Sequence, residues 1–236
     1  MKIGLVIISL LLALPQLSQA SQKIVVLDTG LDITDTRLSP KLCAEGHKDF
    51  TNTELKDTHG HGTHVVGLIE QYAKDTDYCL VIVKYYREED DKIKNMKAYK
   101  EALTYAFSLE PKIINFSGSG PQFDEDELVL IKDHPNTILV TSAGNEKVNL
   151  DIEKRYPASY KEKNIIVVGS IDAVSTTKDA GKNKSSFSNY GKIVTHWEIG
   201  NLVLSTAPDG KQVYNSGTSM SSAIYTGKLI YTTREK

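Results

Sequence analysis

Asn215-Ser-Gly-Thr-Ser-Met-Ser-Ser-Ala223 is the stretch around which the remaining chain is read. A glycine, a run of small residues and a following apolar segment predict a sharp turn feeding a helix, with Ser219 at its mouth. Free backbone N–H groups and the helix dipole favour developing negative charge at such a position. A serine hydroxyl is a poor nucleophile until an adjacent base takes its proton, and that base needs an orienting acid. The remaining sequence holds candidates for both partners.

Upstream, short apolar runs alternate with helical patterns. Lys23–Leu27, Cys79–Tyr85, Pro111–Phe116, Thr137–Val140 and Asn164–Val168 read as strands buried on both faces, as in a parallel sheet. Lys92–Leu109 reads as an amphipathic helix, with Ile93, Met96, Tyr99, Leu103 and Phe107 assigned to the core at steps of three and four. A second helix covers Leu128–Ile131. Arg87–Lys94 reads as a solvated loop. The alternation predicts an α/β fold with a doubly wound, mostly parallel sheet flanked by helices, without internal repeat, linker or second domain. Sites in such sheets gather at the carboxyl ends of strands. There stand Asp28-Thr29-Gly30, Ser117-Gly118-Ser119-Gly120 and Ser142-Ala143-Gly144-Asn145.

Asp57-Thr58-His59-Gly60-His61-Gly62-Thr63-His64 precedes a helical pattern formed by Val65, Leu68, Ile69 and Tyr72. Two readings are open at this point. One histidine can serve as a general base, since imidazole titrates near neutrality. Alternatively, His59, His61 and His64 can bind zinc in a His-x-His-x-x-His arrangement like that of metallo-β-lactamase-type hydrolases. That pattern carries an acid where Thr63 stands here.

The 236 residues carry 28 Lys+Arg and 30 Asp+Glu. Residues 1–20 read as an export signal: Lys2 is their one charge, Leu5–Leu14 forms an apolar core and Ser18-Gln19-Ala20 a cleavage site. An uncleaved anchor is the alternative, disfavoured because the apolar run is short for a bilayer. Residues 21–236 then form one compact domain, secreted or periplasmic, of mildly acidic charge. That charge gives no basis for nucleic-acid binding, or for membrane binding after cleavage. Cys43 and Cys79 either form one disulfide or remain separate thiols, since sequence does not give their distance.

These stretches together resemble the subtilisin-like serine peptidases. Leu27-Asp28-Thr29-Gly30 is similar to the family's acid motif, His61-Gly62-Thr63-His64-Val65 to its histidine motif and Gly217-Thr218-Ser219-Met220 to its nucleophile motif, in the family's chain order. Tyr156-Pro157-Ala158, Ser186-Phe187-Ser188 and Leu204-Ser205-Thr206 are secondary matches. The resemblance implies an endopeptidase acting through an acyl-enzyme, with Ser219 as nucleophile, His61 as base and Asp28 as orienting acid. It also implies Asn145 in an oxyanion hole, Ser117–Gly120 as an edge pairing with substrate backbone, and Ser142, Ala143 and Gly144 lining the substrate site. Arg155 is placed at the base of the main specificity pocket, where a guanidinium favours an acidic or small side chain. His64 becomes a packing residue.

The sequence also departs from the family pattern. Ala223 stands in place of the usual proline, and Glu198-Ile199-Gly200 in place of Ala-Pro-Gly. The chain ends soon after Ser219, and no pro-domain separates Ala20 from the first strand. These departures imply unaided folding, control by a regulatory or folding partner, or a catalytically weak or inactive protein that keeps the fold to bind peptides. The segment between Tyr72 and Leu80 is too short for the family's tight calcium loop. No cofactor and no strong calcium site is expected, a structural calcium being an alternative without support in the sequence, and polypeptide is the expected partner.

Overall fold

The computed structural model describes residues 21–38, 41–74, 76–173 and 183–233. The export signal expected over residues 1–20 lies outside the described residues.

Seven strands form one parallel sheet: β1 (Gln22–Asp28), β2 (Lys48–Asp49), β3 (Tyr78–Lys84), β4 (Ile113–Phe116), β5 (Ile138–Ser142), β6 (Ile165–Ile171) and β7 (His196–Ile199). Their spatial order is β2-β3-β1-β4-β5-β6-β7. β1 pairs with β3 on one side and β4 on the other, with Asp28 opposite Lys84. β8 (Val203–Ala207) and β9 (Lys211–Asn215) form a separate antiparallel hairpin.

The apolar strands are explained by helices on both faces. Ile24 and Val26 of β1 pack beneath α1 (His61–Ala73) and α4 (Thr218–Thr233). Val25 and Leu27, on the opposite pleat, pack beneath α2 (Lys92–Ser108) and α3 (Glu125–Asp133). Successive strand side chains alternate between faces, so two buried faces need an unbroken apolar run. The doubly wound α/β reading therefore holds, with strand boundaries shifted by one to three residues.

Some expectations are corrected. Ile93, assigned to the core, is 82% exposed, and Met96 is partly exposed. The buried stripe of α2 starts only at Ala98, because the first turns overhang a hollow beside Tyr85 and Tyr99. The strands β2, β7, β8 and β9 were not read from sequence. Cys43 and Cys79 are bonded, tying the loop after β1 to the start of β3. Among the described residues, no helix is long and apolar enough to cross a membrane.

Candidate active site

Asp28 is the last residue of β1 and is 3% exposed. Its Oδ1 accepts from the Thr29 N–H at 2.8 Å and from His61 Nδ1 at 2.7 Å. His61 opens α1. The turn that delivers it runs through Gly60 at φ 91°, a left-handed conformation natural to glycine. A carboxylate acceptor at Nδ1 places the ring proton there and leaves Nε2 as an acceptor. Burial disfavours the charged ring, but the charge and hydrogen bond of Asp28, helped by the charge of Asp57, outweigh it. The His61 pKa is therefore raised above 6.5.

Ser219 sits in the first turn of α4 and is 8% exposed. Its Oγ donates to the Ser117 carbonyl at 3.2 Å, and no hydrogen bond joins it to His61. Both side chains line one cleft of about 460 Å³, with Asn145, Gly217 and Met220. Asp28, His61 and Ser117 line an adjoining hollow of about 220 Å³. The Asn145 amide is fixed through its oxygen, which accepts from the Thr218 N–H at 2.9 Å and the Thr218 hydroxyl at 3.0 Å. Its NH₂ group is thereby turned to the Gly217 side of the cleft. The Thr218 hydroxyl also accepts from the Gly144 N–H at 3.0 Å. The Ser219 N–H is among the first-turn donors of α4 that have no helical acceptor. The cleft thus gathers a hydroxyl, an oriented imidazole and two N–H donors.

The remaining predicted residues occupy mixed positions. Ser142 and Ala143 are buried, at 2% and 0% exposed. Both backbone groups of Gly120 pair with Tyr156, at 3.0 and 2.7 Å. That removes Gly120 from the edge expected to pair with substrate and leaves Ser117, Gly118 and Ser119. The Ser119 hydroxyl lies beside Gly144. Arg155 donates to Glu153 at 2.6 Å and approaches Glu146 at 3.9 Å, so its charge is already compensated.

His64 is fully buried, and its Nε2 donates to the Val203 and Val213 carbonyls, both at 3.2 Å. It braces the β8–β9 hairpin, and burial lowers its pKa. The three histidines do not converge, and among the described residues no group of three or more His, Cys, Asp or Glu is placed to hold a metal. The zinc reading lacks its ligand geometry.

Sequence reasoning missed Asp57, whose carboxylate is 2% exposed and caps the start of α1. The available signal was an acid shortly before a helix beginning with small residues.

The model of the subtilase family matches residues 19–235. The chain is 30% identical to the major intracellular serine protease of Bacillus subtilis (strain 168), over 88% of this chain and 66% of that protein. It is 32% identical to the intracellular serine protease of Paenibacillus polymyxa, over 88% and 65%. The chain thus spans slightly less than two thirds of these curated relatives. Its fold is similar to that of a cold-adapted subtilisin-like serine proteinase, with TM-score 0.73 and 22% identity over 91% of this chain and 76% of that one. The family match, the strand order and the arrangement around Ser219 agree: this chain belongs to the subtilase family.

Proposed function

We propose that the protein is an exported serine endopeptidase in which Ser219, His61 and Asp28 act as nucleophile, base and orienting acid. The observation that carries this reading is the 2.7 Å Asp28–His61 bond at the rim of the cleft that also holds Ser219 and Asn145. The Ser219 side chain rotates from the Ser117 carbonyl toward His61 Nε2, a rearrangement expected when substrate tightens a loose resting geometry. Oγ attacks the scissile carbonyl as Nε2 takes its proton. Asn145 Nδ2 and the Ser219 N–H receive the oxyanion. Collapse of the tetrahedral intermediate expels the amine, which takes the proton from His61 and leaves an acyl-Ser219. Water, deprotonated by the same imidazole, releases the acid. Polypeptide substrate pairs with the backbone edge of Ser117–Ser119, whose Ser117 carbonyl is released as Ser219 turns to His61.

The bonded Cys43–Cys79 pair supports an oxidising compartment, in line with the export signal read over residues 1–20. The chemistry draws only on this chain's own groups.

One observation favours a second reading. The Ser219 hydroxyl is bonded to Ser117, not His61, as in a subtilase fold kept for binding peptides. Fluorophosphonate labelling of the purified protein decides between them. Labelling that is lost in Ser219→Ala and His61→Ala establishes an activated serine. A folded wild type that takes no label supports the binding protein.

A further inference from the structure

Asp57 makes five hydrogen bonds with one buried carboxylate. Oδ1 accepts from the Thr29 hydroxyl at 2.9 Å, the His59 N–H at 3.1 Å and the Gly60 N–H at 2.8 Å. Oδ2 accepts from the Thr63 N–H at 2.8 Å and the Thr63 hydroxyl at 2.7 Å. The Thr29 hydroxyl in turn accepts from the Gly62 N–H at 2.8 Å. Thr29 follows Asp28 directly, while Gly60 and Gly62 flank His61. The carboxylate therefore ties the strand end that carries the acid to the helix start that carries the base.

The segment delivering Asp57 is anchored from a third element. Lys84 of β3 is 1% exposed and donates from Nζ to the Thr53 hydroxyl at 3.0 Å, the Glu54 carbonyl at 3.0 Å and the Lys56 carbonyl at 2.7 Å. Lys84 is also the register partner of Asp28. Burial opposes ionisation of Asp57, but its many donors win and hold its pKa below 3.8.

We propose that Asp57 is a positioning residue for the proposed reaction: it locks the Asp28 strand end to the His61 helix start and places a fixed negative charge beside the base. The inference rests on the Asp28–His61–Ser219 reading above. Asparagine at this position offers one acceptor oxygen and an NH₂ group with two donor hydrogens. Its NH₂ group then confronts N–H or O–H donors on whichever side it points, so the clamp loosens and the charge is lost.

Other groups also bear on the base. His61 is faced by Asp28 from β1, by His59 and His64 from its own segment, and by Tyr85 and Tyr86 after β3. Asp57 is faced by Asp28 through Thr29, by His59, and by Asp32, whose N–H donates to the Thr63 hydroxyl; Lys84 holds the segment that precedes it. The same groups are present in Asp57→Asn and in Thr29→Val, which loosens the clamp but keeps the carboxylate, so a shift seen in the first and not in the second reports the charge of Asp57.

The test measures fluorophosphonate labelling rate against pH, with His61 titrated in parallel by NMR, in wild type, Asp57→Asn, Thr29→Val and Thr29→Ser. Near-UV circular dichroism confirms each fold. Asp57→Asn is expected to label about 10–100-fold more slowly at its optimum, the scale set by small misplacements of catalytic groups, with the acid limb moved to lower pH. Thr29→Val breaks the clamp but keeps the charge, so it slows labelling without moving the limb, and Thr29→Ser restores the rate. A folded Asp57→Asn with wild-type rate and an unmoved limb overturns the proposal. If Asp57→Asn does not fold, the threonine pair decides: Val as fast as Ser overturns it. If wild type itself takes no label, the catalytic reading fails separately. The His61 titration then still tests the charge, with an unchanged midpoint in Asp57→Asn counting against the proposal and a lower one for it.

Discussion

At the scale of single residues, His61, the proposed base, sets the expected pH behaviour. Its pKa is raised by Asp28 and then Asp57 against the effect of burial. A base must be neutral to accept the Ser219 proton, so kcat/KM is expected to climb through a midpoint above 6.5 and to be lost in acid. Its effect on stability has the opposite sign. A raised folded-state pKa stabilises the fold fully below the unfolded value, and that contribution disappears as pH rises through the folded value. Asp28→Asn removes the main support for the tautomer, and kcat is expected to fall by about 10⁴-fold, as in other triads. A pH–rate profile of the two proteins checks both statements. Arg155 carries a second prediction. Its guanidinium is engaged by Glu153 and Glu146, which leaves little charge for an acidic substrate side chain. With its charge engaged, the bulk of Arg155 at the pocket position that the family resemblance implies leaves a small side chain as the expected choice at the cleavage position. Peptides cleaved after Ala are expected to outpace those cleaved after Glu or Phe, and a clear preference for Phe overturns the assignment.

At the scale of elements, the helix pair α1 and α4 carries the proposed base and nucleophile, so its packing controls their separation. Gly227 of α4 lies against the α1 backbone. A Cβ built there falls 2.6 Å from the Ile69 carbonyl oxygen and 3.0 Å from the Ala73 N. Backbone cannot swing aside as a flexible side chain can. Gly227→Ala is therefore expected to push the helices apart and destabilise the fold by about 1–3 kcal/mol, the usual range for overpacking. Thermal unfolding reads this directly, and a variant as stable as wild type refutes the close approach. The hairpin β8–β9 is held to α1 by buried His64 and by Ser205 and Thr206, whose hydroxyls donate to the His64 and Thr63 carbonyls at 2.9 and 3.0 Å.

At the scale of the whole molecule, the Cys43–Cys79 bond closes a loop with a sequence separation of 36. That loop includes β2 and α1, and so the segments carrying Asp57 and His61. Chain-entropy arguments assign such a crosslink about 3–4 kcal/mol, acting mainly on the unfolded state. A Cys43→Ser, Cys79→Ser protein is expected to unfold at lower denaturant by that amount while keeping its cleft. Two free thiols in the mass spectrum of wild type purified without reductant would remove the basis for this expectation.

The sequence by itself determined the sheet, since unbroken apolar runs can be satisfied only by burial on both faces. It also singled out Asp28, His61, Asn145 and Ser219, through short motifs that resemble those of the subtilase family. Such signals lie within a few consecutive residues. The exposed Ile93, the capture of Gly120 by Tyr156 and the compensation of Arg155 by Glu146 depend on which distant segments meet. Only the tertiary structure decided those. Asp57 belongs to the same class. Its capping of α1 through Gly60 and Thr63 is local, but its bond to Thr29, 28 residues away, joins the two segments in one buried cluster and leaves no pattern in the residues beside it.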